Sequence, residues 1–218
     1  MMSPGMLVLA LAVQGSPPIQ DNSFLMEEAY NQEPGVVQHI STLVRARRTW
    51  SYSFTQEWPL GSQRHQGSFT VPVEAGVGDV AINYRYQAAG IGGGTAFAPR
   101  LSYIIPTGGG ESAVQMNLPL SVALARPLVA HVNAGATAAR RSPPLYHAGA
   151  SLIWLARPTI NVMLEGVWAG DAESGEWIVN PGVRWAHTIG SLQIVPGIAV
   201  PDARDFFFYL SFEHPFKS

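Results

Sequence analysis

The sequence predicts an all-β protein, an antiparallel transmembrane β-barrel of about twelve strands. Hydrophobic residues make up 47% of the chain and charged residues only 13%, whereas soluble domains average about 25% charged residues. No apolar run approaches the ~18 residues that a membrane helix needs; the longest is Met6–Val13. A high apolar content without long apolar runs is typical of a barrel, because lipid-facing residues alternate with lumen-facing ones.

Segments of alternating polarity follow one another from residue 36 to the end of the chain. In Asp79–Gln87, for example, Val80, Ile82, Tyr84 and Tyr86 share one face of a predicted strand, and polar residues share the other. Turn-forming Gly, Pro, Asn and Asp separate the segments. An even number of strands places both barrel ends on one side of the membrane. The predicted strands are 36–44, 48–59, 66–73, 79–87, 95–106, 113–122, 128–138, 145–156, 160–168, 177–187, 192–201 and 205–216.

The last predicted strand is rich in aromatic residues, and Phe206, Phe208, Leu210 and Phe212 share one of its faces. The alternative is an edge strand of a soluble sandwich, but an unpaired strand this apolar would promote aggregation. We therefore expect it to close a barrel in a bacterial outer membrane. The expected partners are outer-membrane lipid and, through this strand, the barrel-assembly machinery.

The sequence divides into residues 1–15, residues 16–35 and a barrel over residues 36–218. The first part holds Met6–Val13 and resembles a signal peptide, although no Lys or Arg precedes it and a short buried strand is an alternative. In the second part, Ser23–Asn31 predicts a short helix, with Ser23 as N-cap and Pro34 as its end. This part could also be a plug that folds into the lumen or a disordered tail. The plug hypothesis depends on Glu27, Glu28, Tyr30 and Glu33.

The alternation predicts that few charged side chains face the lumen. One interpretation is a charged constriction that orients a solute, and the other, which we favour, is a structural network of ion pairs, since buried charges need partners. Adjacent predicted strands carry Glu165 and Arg184, which suggests a pair. The lumen-facing charged residues are Glu57, Arg85, Arg100, Glu165, Arg184 and Glu213.

Several classes of function have no support in the sequence. A net charge of −2 gives no basic patch for nucleic acid. No Gly-x-Ser-x-Gly motif is present, so we expect no catalytic residues and no enzyme. The six histidines fall on different predicted strands and cysteine is absent, so neither a metal site nor a cofactor is expected.

Seven segments resemble a family of outer-membrane barrels described as transporters of the phenol degradation meta-pathway. The first and last segments are the most specific, and together the seven cover nearly the whole chain after residue 22. The resemblance implies a barrel, an outer-membrane location and a transport role, but no substrate. The segments are 23–40, 54–59, 78–87, 98–102, 115–119, 181–184 and 209–216.

Three functions remain open from the sequence. The first is a porin-like channel or transporter for small solutes, with aromatic or hydrophobic molecules as candidates. The second is a structural or interaction barrel that conducts nothing. The third is a soluble, lipocalin-like binding protein, against which the low fraction of charged residues counts.

Overall fold

The computed structural model describes residues 22–46, 48–91, 94–203 and 205–216, so the signal-peptide-like residues 1–15 lie outside the described part. Fifteen β segments form twelve strands, because three strands are each interrupted once. The strands are β1 (Val36–Ala46), β2 (Thr49–Pro59), β3 (His65–Val73), β4 (Val80–Tyr86), β5 (Thr95–Phe97 and Arg100–Ile105), β6 (Ala113–Asn117 and Leu120–Ala125), β7 (Leu128–Ala139), β8 (Leu145–Arg157), β9 (Ile160–Gly170), β10 (Gly175–Trp185 and His187–Ile189), β11 (Leu192–Ala199) and β12 (Phe206–Pro215).

Each strand pairs antiparallel with its neighbours in the chain, and the last strand pairs with the first. The β12–β1 seam runs from the pair Val36–Pro215 to the pair Arg45–Phe206. The sheet therefore closes on itself and leaves no unpaired edge. We call the rim at Val36 and Pro215 the terminal rim and the opposite rim the distal rim.

Two neighbouring strands are interrupted at the same level by prolines. Pro99 separates the two pieces of β5, and Pro119 separates those of β6. Proline has no backbone N–H to give to the ladder, so regular pairing stops there. The flanking backbone still bonds, since the Ala98 N–H donates to the Pro119 carbonyl at 3.2 Å.

The two faces of the barrel wall have opposite character. Leu164 and Leu101 point outwards and are about half exposed, whereas the next residues, Glu165 and Ser102, point inwards and are fully buried. The exterior is thus apolar and the interior polar, as expected for a membrane barrel and opposite to a soluble protein. The all-β class and the closed twelve-stranded barrel predicted from the sequence are confirmed.

The short helix predicted over Ser23–Asn31 is wrong. Residues 22–35 are irregular, and the one helical turn in the described residues is a 3-10 turn at Pro201–Ala203, between β11 and β12. Within residues 22–46, 48–91, 94–203 and 205–216, no helix is long and apolar enough to cross a membrane.

Candidate functional site: a plugged lumen

The segment Asn22–Gly35 lies inside the barrel, and we call it the plug. Gly35, with a positive φ of 78°, joins it to β1 at the terminal rim. At its other end, Phe24 contacts Phe207, the second residue of β12, whose partner in β1 is Val44. The plug therefore extends from the terminal rim deep into the distal half of the lumen.

One carboxylate holds three successive backbone N–H groups of the plug. The Glu165 Oε1 atom accepts from Phe24 at 3.1 Å, from Leu25 at 2.8 Å and from Met26 at 3.1 Å. Its Oε2 atom accepts from Asn180 Nδ2 at 2.7 Å. Such a concave run of N–H groups is a typical anion-binding arrangement. Farther along the plug, the Glu27 and Ala29 N–H groups donate to Asn133 Oδ1 at 2.7 Å and to Ser121 Oγ at 2.8 Å, and these bonds replace the ones that the predicted helix would have made.

A second cluster surrounds the carboxylate of Glu27. Its Oε1 lies 3.1 Å from Arg85 Nη1, and its Oε2 lies 2.9 Å from Arg100 Nε and 2.6 Å from Asn117 Nδ2. Asn133 fixes the backbone at the same residue: its Oδ1 accepts from the Glu27 N–H at 2.7 Å, and its Nδ2 donates to the Glu27 carbonyl at 2.8 Å. Strands β4 to β7 thus converge on one plug residue.

Arg85 makes more contacts with the plug than its ion pair with Glu27. Its guanidinium donates to Asn31 Oδ1 at 2.8 Å, to the Glu28 carbonyl at 3.0 Å and to the Tyr30 carbonyl at 2.7 Å. The rigid fork of N–H donors suits arginine to such multiple recognition. The carboxylate oxygens of Glu28 and Glu57 lie farther away, at 3.9 and 4.0 Å.

Near the terminal rim, the plug bonds to neutral amide side chains of the wall. The Asn31 N–H donates to Gln87 Oε1 at 3.0 Å, and the Gln32 N–H donates to Gln66 Oε1 at 2.7 Å. Gln32 Nε2 donates to Gln38 Oε1 at 2.6 Å. The wall glutamines Gln38, Gln66 and Gln87 were not predicted, because the prediction considered only charged side chains. Their inward positions in the alternating pattern are the signal that identifies them.

Glycines in the wall make room for the plug's apolar side chains. A Cβ atom on Gly182 would lie 2.4 Å from the Phe24 ring, and one on Gly197 would lie 2.7 Å from it. The same ring packs against Phe207 and Tyr209, with centroid distances of 5.2 and 5.4 Å. Wall and plug are therefore complementary in shape as well as in hydrogen bonding.

Beside the plug, the lumen keeps a cavity of about 310 Å³ against the wall of β1 to β5. Hydroxyl groups of neighbouring strands pair along this wall, Thr42 with Ser53 at 2.7 Å and Thr55 with Thr70 at 2.9 Å. The rest of the cavity lining includes residues 22–28, Glu57, Arg85, Arg100, Phe207 and Tyr209.

All six predicted lumen charges face inwards, and the plug residue Glu27 pairs with the inward Arg85 and Arg100, as the plug hypothesis expects. Glu165 binds plug N–H groups, and Arg184 donates to the Asn22 carbonyl and lies over the Tyr209 ring at 4.8 Å. Arg85 and Arg100 are bridged by Glu27, and Glu213 accepts from Gln38 at 2.7 Å. The suggested Glu165–Arg184 pair is wrong, because each group binds the plug instead.

The four residues on which the plug hypothesis depends make different contacts. Glu27 and Glu28 face Arg85, and the Tyr30 hydroxyl donates to the Gly94 carbonyl at 2.8 Å at the terminal rim. The Glu33 side chain is exposed, and its backbone carbonyl accepts from the Val36 N–H at the turn into β1. Among the described residues, no group of three or more His, Cys, Asp or Glu side chains is placed to hold a metal ion.

Solved structures of two porins and of an outer-membrane channel have a similar fold. No protein-family model and no curated protein matches the chain. The KdgM porin matches with a TM-score of 0.62 at 7% identity, over 84% of this chain and 99% of its own. The NanC porin matches with a TM-score of 0.60 at 8% identity, over 84% and 100%. An outer-membrane channel from Pseudomonas putida F1 matches with a TM-score of 0.58 at 10% identity, over 86% and 98%. These likenesses show a shared fold.

Proposed function

We propose that this protein is an outer-membrane channel for small solutes whose lumen is closed by the plug and opens when the plug moves. The observation that carries the proposal is the Glu27 cluster, in which Arg85, Arg100, Asn117 and Asn133 of the wall hold one residue of a separate segment. The closed barrel with an apolar exterior supports the location in lipid. The resemblance of seven segments to the phenol-pathway barrels supports a transport role.

The chemistry of the plug contacts favours a plug that can leave the lumen over one that permanently stabilises the barrel. Most of the contacts are hydrogen bonds and ion pairs, and water can replace each of them when the plug leaves. The net contribution of one such bond is about 0.5–1.5 kcal/mol, or about 1.5–3 kcal/mol where one partner is charged. Phe24 is the main apolar anchor. A gate built this way opens into a polar lumen without exposing a large apolar surface.

For the solute, we propose small aromatic or hydrophobic molecules. The cavity beside the plug has a volume of about 310 Å³, which is at the small end of typical ligand pockets. Phe207 and Tyr209 line it together with a row of Ser and Thr hydroxyls that begins beside them, since Thr42 is the register partner of Tyr209. This combination suits a ring that carries a hydroxyl group, because the ring can stack while its hydroxyl exchanges hydrogen bonds with the wall.

Single-channel recording tests the gate directly. Deleting residues 22–33 should raise the conductance of the reconstituted barrel severalfold over that of the intact protein. Glu33→Ala is the matched control, because the Glu33 side chain is exposed and lies at the turn into β1. Unchanged conductance after deletion of the plug would contradict the proposal that the plug closes the lumen.

Solute flux tests the substrate class. Liposomes that contain the plug-deleted barrel should take up phenol-sized aromatic alcohols faster than sugars or amino acids of similar mass. Equal uptake rates for all of these solutes would mean that the channel has no preference for aromatic alcohols. The absence of conductance and flux in both forms would instead favour the non-conducting structural barrel.

The proposed location and assembly have their own test. An outer-membrane barrel should stay in the membrane fraction after carbonate or urea extraction and should migrate differently on gels before and after heating. Release by carbonate would favour the soluble, lipocalin-like alternative, against which the apolar exterior argues. Loss of insertion on changing Phe216 at the end of the last strand would support recognition by the barrel-assembly machinery.

A further inference from the structure

The closing seam brings together two histidines from opposite ends of the barrel sequence. His39 lies in β1 and His214 in β12, and the register pairs His39 with Phe212 and Val37 with His214. The two imidazoles are therefore diagonal neighbours across the seam. Their Nε2 atoms lie 3.2 Å apart. Both face the outside of the barrel, on the wall side away from the plug.

A backbone contact fixes the orientation of one of these rings. Nδ1 of His214 lies 3.1 Å from the Pro215 carbonyl oxygen. A carbonyl can only accept, so Nδ1 is the donor, and in the neutral imidazole the lone pair is then on Nε2. Metal-binding histidines are held in this same way, with the second ring nitrogen donating to a carbonyl or carboxylate.

The distance between the two Nε2 atoms matches that of a metal-bound pair. Zinc–nitrogen bonds of about 2.0–2.1 Å in a tetrahedral arrangement place two nitrogen ligands about 3.3 Å apart. The observed separation of 3.2 Å is close to this value. Since His214 Nε2 holds a lone pair, His39 Nε2 is the donor in this contact, and a bound ion would take the place of that proton, which would then be carried on His39 Nδ1.

The surroundings hold the pair in position and leave one side open. The His39 ring stacks on Phe212 with a centroid distance of 4.7 Å and lies 6.0 Å from Phe54. Both histidines are partly exposed, and they lie near the terminal rim, where the strands reach the polar edge of the membrane. Water can therefore complete the coordination of an ion bound there.

We propose that His39 and His214 form a site for a divalent late transition metal, Zn²⁺, Ni²⁺ or Cu²⁺, that clasps the first strand to the last. Imidazole suits these ions, whereas Mg²⁺ and Ca²⁺ take oxygen ligands. The protein supplies two ligands and water supplies the others. The site is outside the lumen and independent of the channel proposal.

Calorimetric titration with Zn²⁺ tests the site. The full chain, made without a polyhistidine tag and stripped with a chelator, should bind one ion per barrel in detergent. His39→Ala and His214→Ala should each weaken binding at least tenfold. His65→Ala is the control, because His65 also lies at the terminal rim but bonds to Tyr84 rather than to a second histidine. Equal affinities of wild type and His39→Ala, or no saturable binding, would overturn the proposal.

Thermal unfolding gives a second measurement that does not depend on the binding signal. Zn²⁺ should raise the unfolding temperature of the wild-type barrel and leave that of His39→Phe unchanged. The phenylalanine keeps an aromatic ring on Phe212 but removes the ligand. Heat-modifiable gel migration would establish beforehand that each variant forms a barrel. The same shift in His39→Phe as in wild type would place any bound metal elsewhere.

Discussion

At the scale of single residues, the plug is held mainly by side chains that reach its backbone. Arg85 donates to two plug carbonyls, Glu165 accepts from three plug N–H groups, and Asn133 does both. Because these wall residues bond mostly to backbone atoms, the plug's conformation matters more than the identity of each of its side chains. Three plug side chains also bond to the wall: the Glu27 carboxylate joins Arg85 to Arg100, Asn31 Oδ1 accepts from Arg85, and Gln32 Nε2 donates to Gln38.

Replacing Arg85 should open the channel. Arg85→Met keeps the length of the side chain but removes the charge and every donor to the plug. Arg100 still pairs with Glu27 in this variant, but Glu27 Oε1, Asn31 Oδ1 and the Glu28 and Tyr30 carbonyls lose their donor. Each acceptor left unsatisfied costs about 1–3 kcal/mol, and the plug can avoid this cost by leaving the lumen. We expect a higher open probability in single-channel recordings. Arg45→Met is the control, because Arg45 lies outside the lumen over Trp50. An unchanged open probability in Arg85→Met would contradict this role.

The partners of the inward charges show what the sequence could and could not predict at this scale. The period of two in the strands is sufficient to place Glu165 and Arg184 on the inner face. This period does not show that a segment outside the strands competes to bond with the same side chains. The plug offers N–H groups to Glu165 and the Asn22 carbonyl to Arg184, and these contacts replace the expected ion pair.

At the scale of elements, the alternating strands were predicted closely, whereas the plug was only one of three alternatives for residues 16–35, beside a short helix and a disordered tail. The largest difference in strand bounds is at the end of β6, where the prediction stops at residue 122 and the strand at Ala125. Strands were predictable because each alternates by itself. The Ser23–Asn31 helix does not form because local propensity is outweighed by acceptors on distant strands, such as Asn133 and Ser121, which take the Glu27 and Ala29 N–H groups.

The fit between plug and wall can be tested with a single methyl group. Gly182→Ala places a Cβ about where the Phe24 ring lies, at 2.4 Å from it, so the plug should be displaced. Gly166→Ala is the control, because a Cβ there meets nothing within 4 Å. The protein has no cysteine, so Ser23→Cys provides one reporter thiol. Its labelling by a water-soluble maleimide should be faster with Gly182→Ala and unchanged with Gly166→Ala.

A double variant then distinguishes displacement of the plug from a general loss of barrel structure. Adding Phe24→Ala to Gly182→Ala removes the ring that the new methyl group would meet. Labelling of the reporter thiol should then be no faster than in Phe24→Ala alone. If the double variant instead adds the two single effects, the methyl group acts through another neighbour, such as Ala199.

At the scale of the whole molecule, the barrel is stabilised in lipid by its apolar exterior. Leu164 lies near the middle of β9 and faces outwards. An arginine at the membrane midplane costs about 2–4 kcal/mol, and one near the interface costs about 0–1 kcal/mol. Leu164→Arg should therefore lower the free energy of unfolding in lipid vesicles by the larger amount. Leu145→Arg, at the first position of β8, should show the smaller one in the same denaturant titration.

Closure of the barrel was predictable from the aromatic last strand, but its consequences for individual residues were not. His39 and His214 are far apart in the sequence and become neighbours only through the seam register. A search for metal ligands by spacing along the chain therefore finds no pair. Ser23 and Ser151 are also distant in the sequence, and their hydroxyl oxygens lie 2.6 Å apart because the plug reaches β8.

The attachment of the plug at Gly35 makes it a tethered ligand of its own barrel. A segment linked by a short chain is present at a local concentration in the millimolar range, whatever the amount of protein in the membrane. Reclosure after opening should therefore be fast and independent of expression level. A synthetic peptide of residues 22–33, added to the plug-deleted barrel, should block current below millimolar concentration, because a tethered plug stays closed only if its dissociation constant is smaller than its local concentration. No block at millimolar concentration would contradict the proposal that the plug closes the lumen.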